Sequence, residues 1–245
     1  MKHKKHAAYI PAVNDGALRR LWVICRTLPL FLCVRLMSDR YTEQMRLELA
    51  QQIAAQIADN RADWVRAKNS VLERALSTLG RSAAAAMPSN AQIESAVRAH
   101  FALFGPEEHN SVLQRKRTLA LELLEALDPF EVFLAGAVLN GAAHEDSVIV
   151  LEAFCDDPKA LEAALMDAGL VFEAVDAPQS NMPDPMESLG LLVPVRGGCE
   201  AVRIDVYETR DRSRNPYRST PDAYQTDAEA AGRADRRTLA KLLRR

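Results

Sequence analysis

The sequence is poor in the residues that usually announce chemistry. Four cysteines in 245 residues, Cys25, Cys33, Cys155 and Cys199, form no CxxC pair and have no histidine at metal-ligand spacing. That sets aside a disulfide framework and a zinc site; the cysteines read as small buried hydrophobes in a reducing, cytoplasmic compartment. No GxxxxGK[ST] phosphate loop occurs, and no serine, cysteine and histidine fall into a recognisable nucleophile signature. A long apolar run is missing too. The stretch from Leu21 to Met37 is interrupted by Arg26, Pro29 and Arg35 and lacks a small-residue cleavage site, so neither stable membrane insertion nor a signal peptide is expected. Lysine is scarce, with seven of the 31 basic residues; the arginine and alanine bias suggests a GC-rich bacterial genome.

What is present is ordinary globular material, 48% hydrophobic and 26% charged, in a chain long enough for one large or two small domains. The net charge of −2 hides a segregation along the chain. Residues 1–40 carry eight basic residues against two acids, and residues 209–245 carry ten against five. Residues 143–208 carry fourteen acids against three bases, a block that repels phosphate backbones, so no nucleic-acid binding is expected there. Residues 1–36, opening on Lys2-His-Lys-Lys-His6, read as a basic and apolar extension, with translation expected to start at Met37.

Residues 37–127 carry helical periodicity throughout. Met45, Leu49, Ile53 and Ile57 recur at intervals of four, as do Trp64, Ala67, Val71, Ala75 and Leu79 up to a capping Gly80. Ser82 to Pro88 reads as a linker, Ser89 as the N-cap of a helix to Phe104, and Glu107 to Leu127 as a fourth helix. Beyond Asp128-Pro129 the period shortens. Strands are expected over residues 131–136, 147–154, 171–175, 189–195 and 201–207, with a helix over 157–169 and a closing helix over 224–243. Gly197-Gly198 predicts a hairpin whose turn is longer than two residues. The fold class is therefore α/β or α+β: a mixed sheet of about four or five strands, a helical region before it and a helix after it.

The segment from Val132 to Glu152 runs strand, Gly136-Ala137, a short helical stretch to Asn140-Gly141, a loop, and a second strand. In this order and spacing it resembles the nucleotidyltransferase superfamily. There a glycine turn lets backbone amides approach a triphosphate, and alternate acids on the next strand share two metal ions with a third acid from a later strand. The resemblance implies that Gly136, Ala137, Asn140 and Gly141 lie in the nucleotide-binding turn. It places the paired acids at Val148 and Val150, where the carboxylates are absent, and the third acid at Asp205. Glu152 follows one step along the same strand face, and His144 and Asp146 lie in the loop before it.

Three readings follow. The first is a non-catalytic binding or regulatory protein on a degenerate nucleotidyltransferase-like frame, needing no cofactor or metal and holding a nucleotide or another anion. The second is a magnesium-dependent nucleotidyltransferase with a rearranged site of Asp205, Glu152 and Asp146. The third is a structural module that contacts a protein partner through its helical region. Away from that strand, His100 reads as a packed boundary residue and His109 as exposed. Arg210, Arg212, Arg214 and Arg218 read as a solvated loop, with an anion clamp as the alternative.

Overall fold

The computed structural model describes residues 30–60, 64–177 and 182–244. Two hydrophobic cores organise them. The first is helical, built from α1 (Leu30–Asn60), α2 (Trp64–Leu79), the short α3 (Arg81–Ala85) and α4 (Asn90–Phe104). Met45, Leu49, Ile53 and Ile57 of α1 meet Ala67, Val71 and Ala75 of α2 and Ile93 and Val97 of α4, as their four-residue spacing requires. Ser89 caps α4 in a reciprocal box: its hydroxyl accepts from the Gln92 backbone N–H while the Gln92 side chain accepts from the Ser89 N–H. Gly80 takes a positive φ of 59°, which frees α2 to stop.

The second core surrounds a sheet. Helix α5 (Pro106–Ala126) lays Leu113, Leu119, Leu123 and Leu124 against it, so this helix belongs to the sheet's core and not to the helical one. A cis Asp128–Pro129 bond leads into β1 (Glu131–Ala135), followed by α6 (Gly136–Asn140), β2 (Ile149–Phe154) and α7 (Pro158–Asp167). Then come β3 (Phe172–Ala174), β4 (Glu187–Val195), β5 (Gly198–Tyr207), a 3-10 turn (Thr209–Ser213), α8 (Asp227–Ala230), β6 (Arg233–Ala234) and α9 (Arg236–Leu243). The sheet is mixed, in the order β3-β4-β5-β2-β1-β6, with β2 and β5 parallel and every other pair antiparallel. Alternation in β2 sends Ile149, Leu151 and Ala153 into the core, each with no exposed surface, and leaves Val150 and Glu152 on the opposite face.

Several expectations need correction. The sheet has six strands instead of four or five, because β6 interrupts the expected closing helix: Gly232 turns the chain at φ 79° and Asp235 caps a new helix through the Thr238 N–H. The expected linker after Gly80 contains α3. The β4–β5 hairpin closes on Val195 paired with Gly198, a two-residue Arg196-Gly197 turn, which Gly197 permits with φ 101°. Val148 precedes β2 instead of lying within it. Cys199 is exposed and Cys155 half-buried, so neither is core; Cys25 lies outside the described residues. The first 29 residues, most of the expected N-terminal extension, also lie outside them, and α1 runs unbroken through Met37. Among the described residues no helix is long and apolar enough to cross a membrane.

Candidate functional site

Register decides which side chains meet. In the parallel β2–β5 pair Glu152 stands beside Asp205 and Val150 beside Arg203. Across β4–β5 Ser188 faces Asp205 and Gly190 faces Arg203; across β1–β2 Phe133 faces Glu152. All of these residues share the sheet face opposite α5. Two of the three predicted acids, Glu152 and Asp205, are therefore brought abreast, both buried. Asp146 is not: it sits in an exposed turn before Val148, where its N–H donates to His144 Nδ1 at 3.2 Å.

Each buried acid is matched to a guanidinium. Arg203 Nε donates to both oxygens of Asp205, at 2.9 and 3.1 Å, and the Ser188 hydroxyl donates to Asp205 Oδ1 at 2.8 Å. Glu152 is held by Arg233 Nε in a short ion pair whose partners are both almost wholly buried. Burial pushes the Glu152 carboxyl above its ordinary pKa, the Asp205 charge adds to this, and Arg233 and Arg203 oppose it. Burial, with the charges of Asp205 and Glu152, likewise pushes the Tyr207 hydroxyl well up. Tyr207, Phe154 and Met182 form a small apolar cluster beside Phe133, and Arg233 lies 4.6 Å over the Phe154 ring.

This half of the face is roofed. The Arg233 Nη1 donates to the Arg212 and Arg214 carbonyls at 3.0 and 2.5 Å, fastening the strap from Thr209 onward across the sheet. Arg212 pairs with Glu131 at 3.1 Å and lies 5.8 Å over Phe133. Arg214 pairs with Asp211, and Arg210 with Glu208. Of the four arginines singled out in this loop, Arg210, Arg212 and Arg214 thus bind neighbours in their own fold instead of clamping a shared anion. Arg233, hidden in what read as a helix, was missed. The signal was Gly232 followed by a capping Asp235, which together break the helix on either side of it.

The other half of the face is open. Val148, Val171, Val175, Gly190, Leu192 and Arg203 line much of a groove of about 520 Å³, in which, among the described residues, Glu173 is the one acid and Arg203 the one base. Gly190 is required there, since a Cβ would meet Val175 Cγ1 at 2.7 Å. Gly136 adjoins this half: at φ 70° it turns the chain so that its Cα faces the Val150 side chain, with an added Cβ 3.6 Å from Val150. Gly136 and Ala137 open α6 at that point.

Asn140 and Gly141 close the same helix at its far end. Three side chains grip the carbonyls there: Arg117 on Val138 and Leu139, Arg98 on Asn140, and Gln225 on Asn140. Gly141 takes φ 84° beneath the Arg98 side chain, and Asn140 Oδ1 accepts from the Ala142 N–H. The predicted four-residue turn is therefore split. Gly136 adjoins the open face, Ala137 packs partly against the sheet's core, and Asn140 and Gly141 lie under Arg98 at the other end of the helix.

The loop ahead of β2 is bolted by consecutive residues of α5. Arg115 reaches Glu145 and Glu200, and Lys116, 1% exposed, reaches Glu200 Oε2 at 2.5 Å and the Ser147 carbonyl at 2.9 Å. A separate cleft of about 270 Å³ between the two cores holds His100, His109 and His144. His100 pairs with Asp59 at 2.9 Å. His109 is not exposed as expected. It stacks on Phe101 at 4.1 Å and bonds the Ala143 carbonyl, and burial first, with the Arg117 charge, lowers its pKa.

Magnesium, which the resemblance implies for a catalytic member, does not fit this donor set. It requires near-octahedral oxygen ligands. Val148 and Val150 supply none, and guanidinium groups already bond the carboxylates of Glu152 and Asp205. Among the described residues no three His, Cys, Asp or Glu side chains are placed to hold a metal ion. No protein-family model matches the chain, and no curated protein matches it.

Proposed function

We propose that the chain is a non-catalytic binding protein on a nucleotidyltransferase-like frame, and that its ligand lies on the open half of the sheet face between Gly136 and Leu192. The observation that carries this reading is the pairing of Glu152 with Arg233 and of Asp205 with Arg203. A two-metal transferase needs carboxylate oxygens free for cations, and here the guanidinium groups compete for them. The lining narrows the ligand further. A groove made mainly of valine, leucine and glycine, with Arg203 already paired to Asp205 and Glu173 nearby, disfavours a triphosphate of several negative charges. It suits a mostly apolar molecule with one polar or anionic group.

The test is thermal unfolding of the intact chain against nucleotides, nucleosides and amphiphilic carboxylates, each with and without magnesium or manganese. A ligand at a hundred times its Kd stabilises the native state by about 2.7 kcal/mol. Stabilisation without metal that is lost in Leu192→Glu supports the reading. A metal-dependent response to a nucleoside triphosphate that Asp205→Asn abolishes would instead show a metal–nucleotide site at Asp205 and overturn the reading.

The alternative of a protein-contact module draws on Leu47, Leu103 and Phe104, exposed along a groove of about 460 Å³ between α1 and α4. Aspartate or glutamate at Leu103 would block that contact and leave Leu192-dependent binding unchanged.

A further inference from the structure

One face of the sheet carries two different surfaces end to end, an open apolar groove and a roofed aromatic patch. The roof is the segment after β5, and Arg233 holds it from below. Its guanidinium makes four kinds of contact at once. Nε is paired with Glu152, Nη1 donates to the carbonyls of Arg212 and Arg214, Nη2 donates to Met182 Sδ at 3.4 Å, and the plane lies over the Phe154 ring. The strap's other attachments include Arg212, which pairs with Glu131 and lies over the Phe133 ring, Thr209 N–H with Asp156, Asn215 with the Ala231 carbonyl, and, just past the strap, Ser219 N–H with the Ala230 carbonyl. Arg210, Arg212, Arg214 and Arg218 are themselves exposed.

We propose that Arg233 is a latch that keeps the strap of residues 209–218 closed over Phe133, Phe154 and Tyr207, and that opening it joins this aromatic patch to the ligand groove. The physical case is one of shared partners. A lysine-like point charge would neutralise Glu152 alone; the planar fork of a guanidinium satisfies the acid with one edge and two strap carbonyls with another. β6, which carries Arg233, is only two residues long and sits at the edge of the sheet, so few ladder bonds oppose its displacement. Beneath the strap, Phe154 and Tyr207 lie in the same strands as Val150 and Arg203, on the same face, so the uncovered surface would be continuous with the groove. The latch takes its functional meaning from the binding reading above, but its mechanics are testable with no ligand present.

The experiment is limited trypsin digestion of the full chain, following cleavage at Arg210, Arg212, Arg214 and Arg218 by mass spectrometry, in the wild type, Arg233→Met and Glu152→Leu/Arg233→Met. The double variant removes both buried charges together and is expected to fold, because replacing a buried ion pair by apolar residues is often tolerated. With the latch gone, strap cleavage in the double variant should rise by about tenfold or more while unfolding of the sheet is unchanged, since proteolysis follows the population of the open form. Arg233→Met, which leaves the buried Glu152 charge without its partner, should open the strap at least as far as the double variant does. A folded double variant whose strap is as protected as the wild type's would overturn the proposal. So would strap opening in which the rest of the sheet opens equally. Binding to Leu192-dependent ligands is measured separately on the wild type, so a failed latch and a failed binding reading give different results.

Discussion

His109 shows how a single residue departs from its sequence context. It follows two glutamates at the start of α5, where exposure is the simple expectation. Packing instead presses its ring on Phe101 and its Nε2 against the Ala143 carbonyl. Burial is the largest cause of its lowered pKa. The folded state therefore binds a proton less readily than the unfolded chain, and stability is present above the usual histidine pKa and lost as pH falls below it. The slope for one such group is at most about 1.4 kcal/mol per pH unit. His109→Phe, which keeps the stack, should flatten this part of the stability curve below about pH 6.5 in denaturant titrations. An unchanged slope would assign it to other groups. Arg233 makes the complementary case: a basic residue in a basic tail became the most thoroughly engaged cation of the face, through partners 81 and about 20 residues away in sequence.

At the scale of elements, the junction between α8 and β6 decides whether the strap can lie down. Gly232 has φ 79°, and a Cβ there would stand 2.4 Å from Asn215 Oδ1 and 2.7 Å from the Arg218 backbone nitrogen. Backbone atoms cannot yield as a flexible side-chain tip can. Gly232→Ala should cost roughly 1–3 kcal/mol in strain and displacement and raise trypsin cleavage in the strap, read by equilibrium unfolding and by digestion. Strand and helix identity was largely legible here. Expected runs at 131–136, 147–154, 171–175, 189–195 and 201–207 each overlap a strand, and Ser89 and Gly80 punctuate helices as their chemistry demands. β6 was not legible, since two residues carry no period of their own and exist as a strand only because Leu134 and Ala135 lie alongside.

For the whole molecule, two cores meet with modest overlap. Ala142, from the loop after α6, packs with the helical core, and Arg98 of α4 ties Asp222 and the Asn140 carbonyl at 2.7 and 3.3 Å. Ile53 and Leu151 are each fully buried, one in each core. Ile53→Ala and Leu151→Ala should each cost about 2–5 kcal/mol. Hydrogen exchange should then show Ile53→Ala loosening α1, α2 and α4 more than β1, β2 and β5, with the reverse pattern for Leu151→Ala. Equal loosening everywhere would mean that the two cores unfold as one unit.

Local pattern alone determined the mixed α/β class, the order of most elements, the amphipathic faces of α1, α2 and α4, and the apolar character of the positions at Val148 and Val150. Those properties depend on neighbours within a few residues, through spacing, capping and alternation. Tertiary structure decided what the acids do. Whether Glu152 and Asp205 are free or engaged depends on strand register, on the two-residue β6, and on a guanidinium brought from the far end of the chain. It also divided the face into an open groove and a sealed patch. Long-range pairing of charges has no period along the chain, so it becomes visible only when the chain has folded.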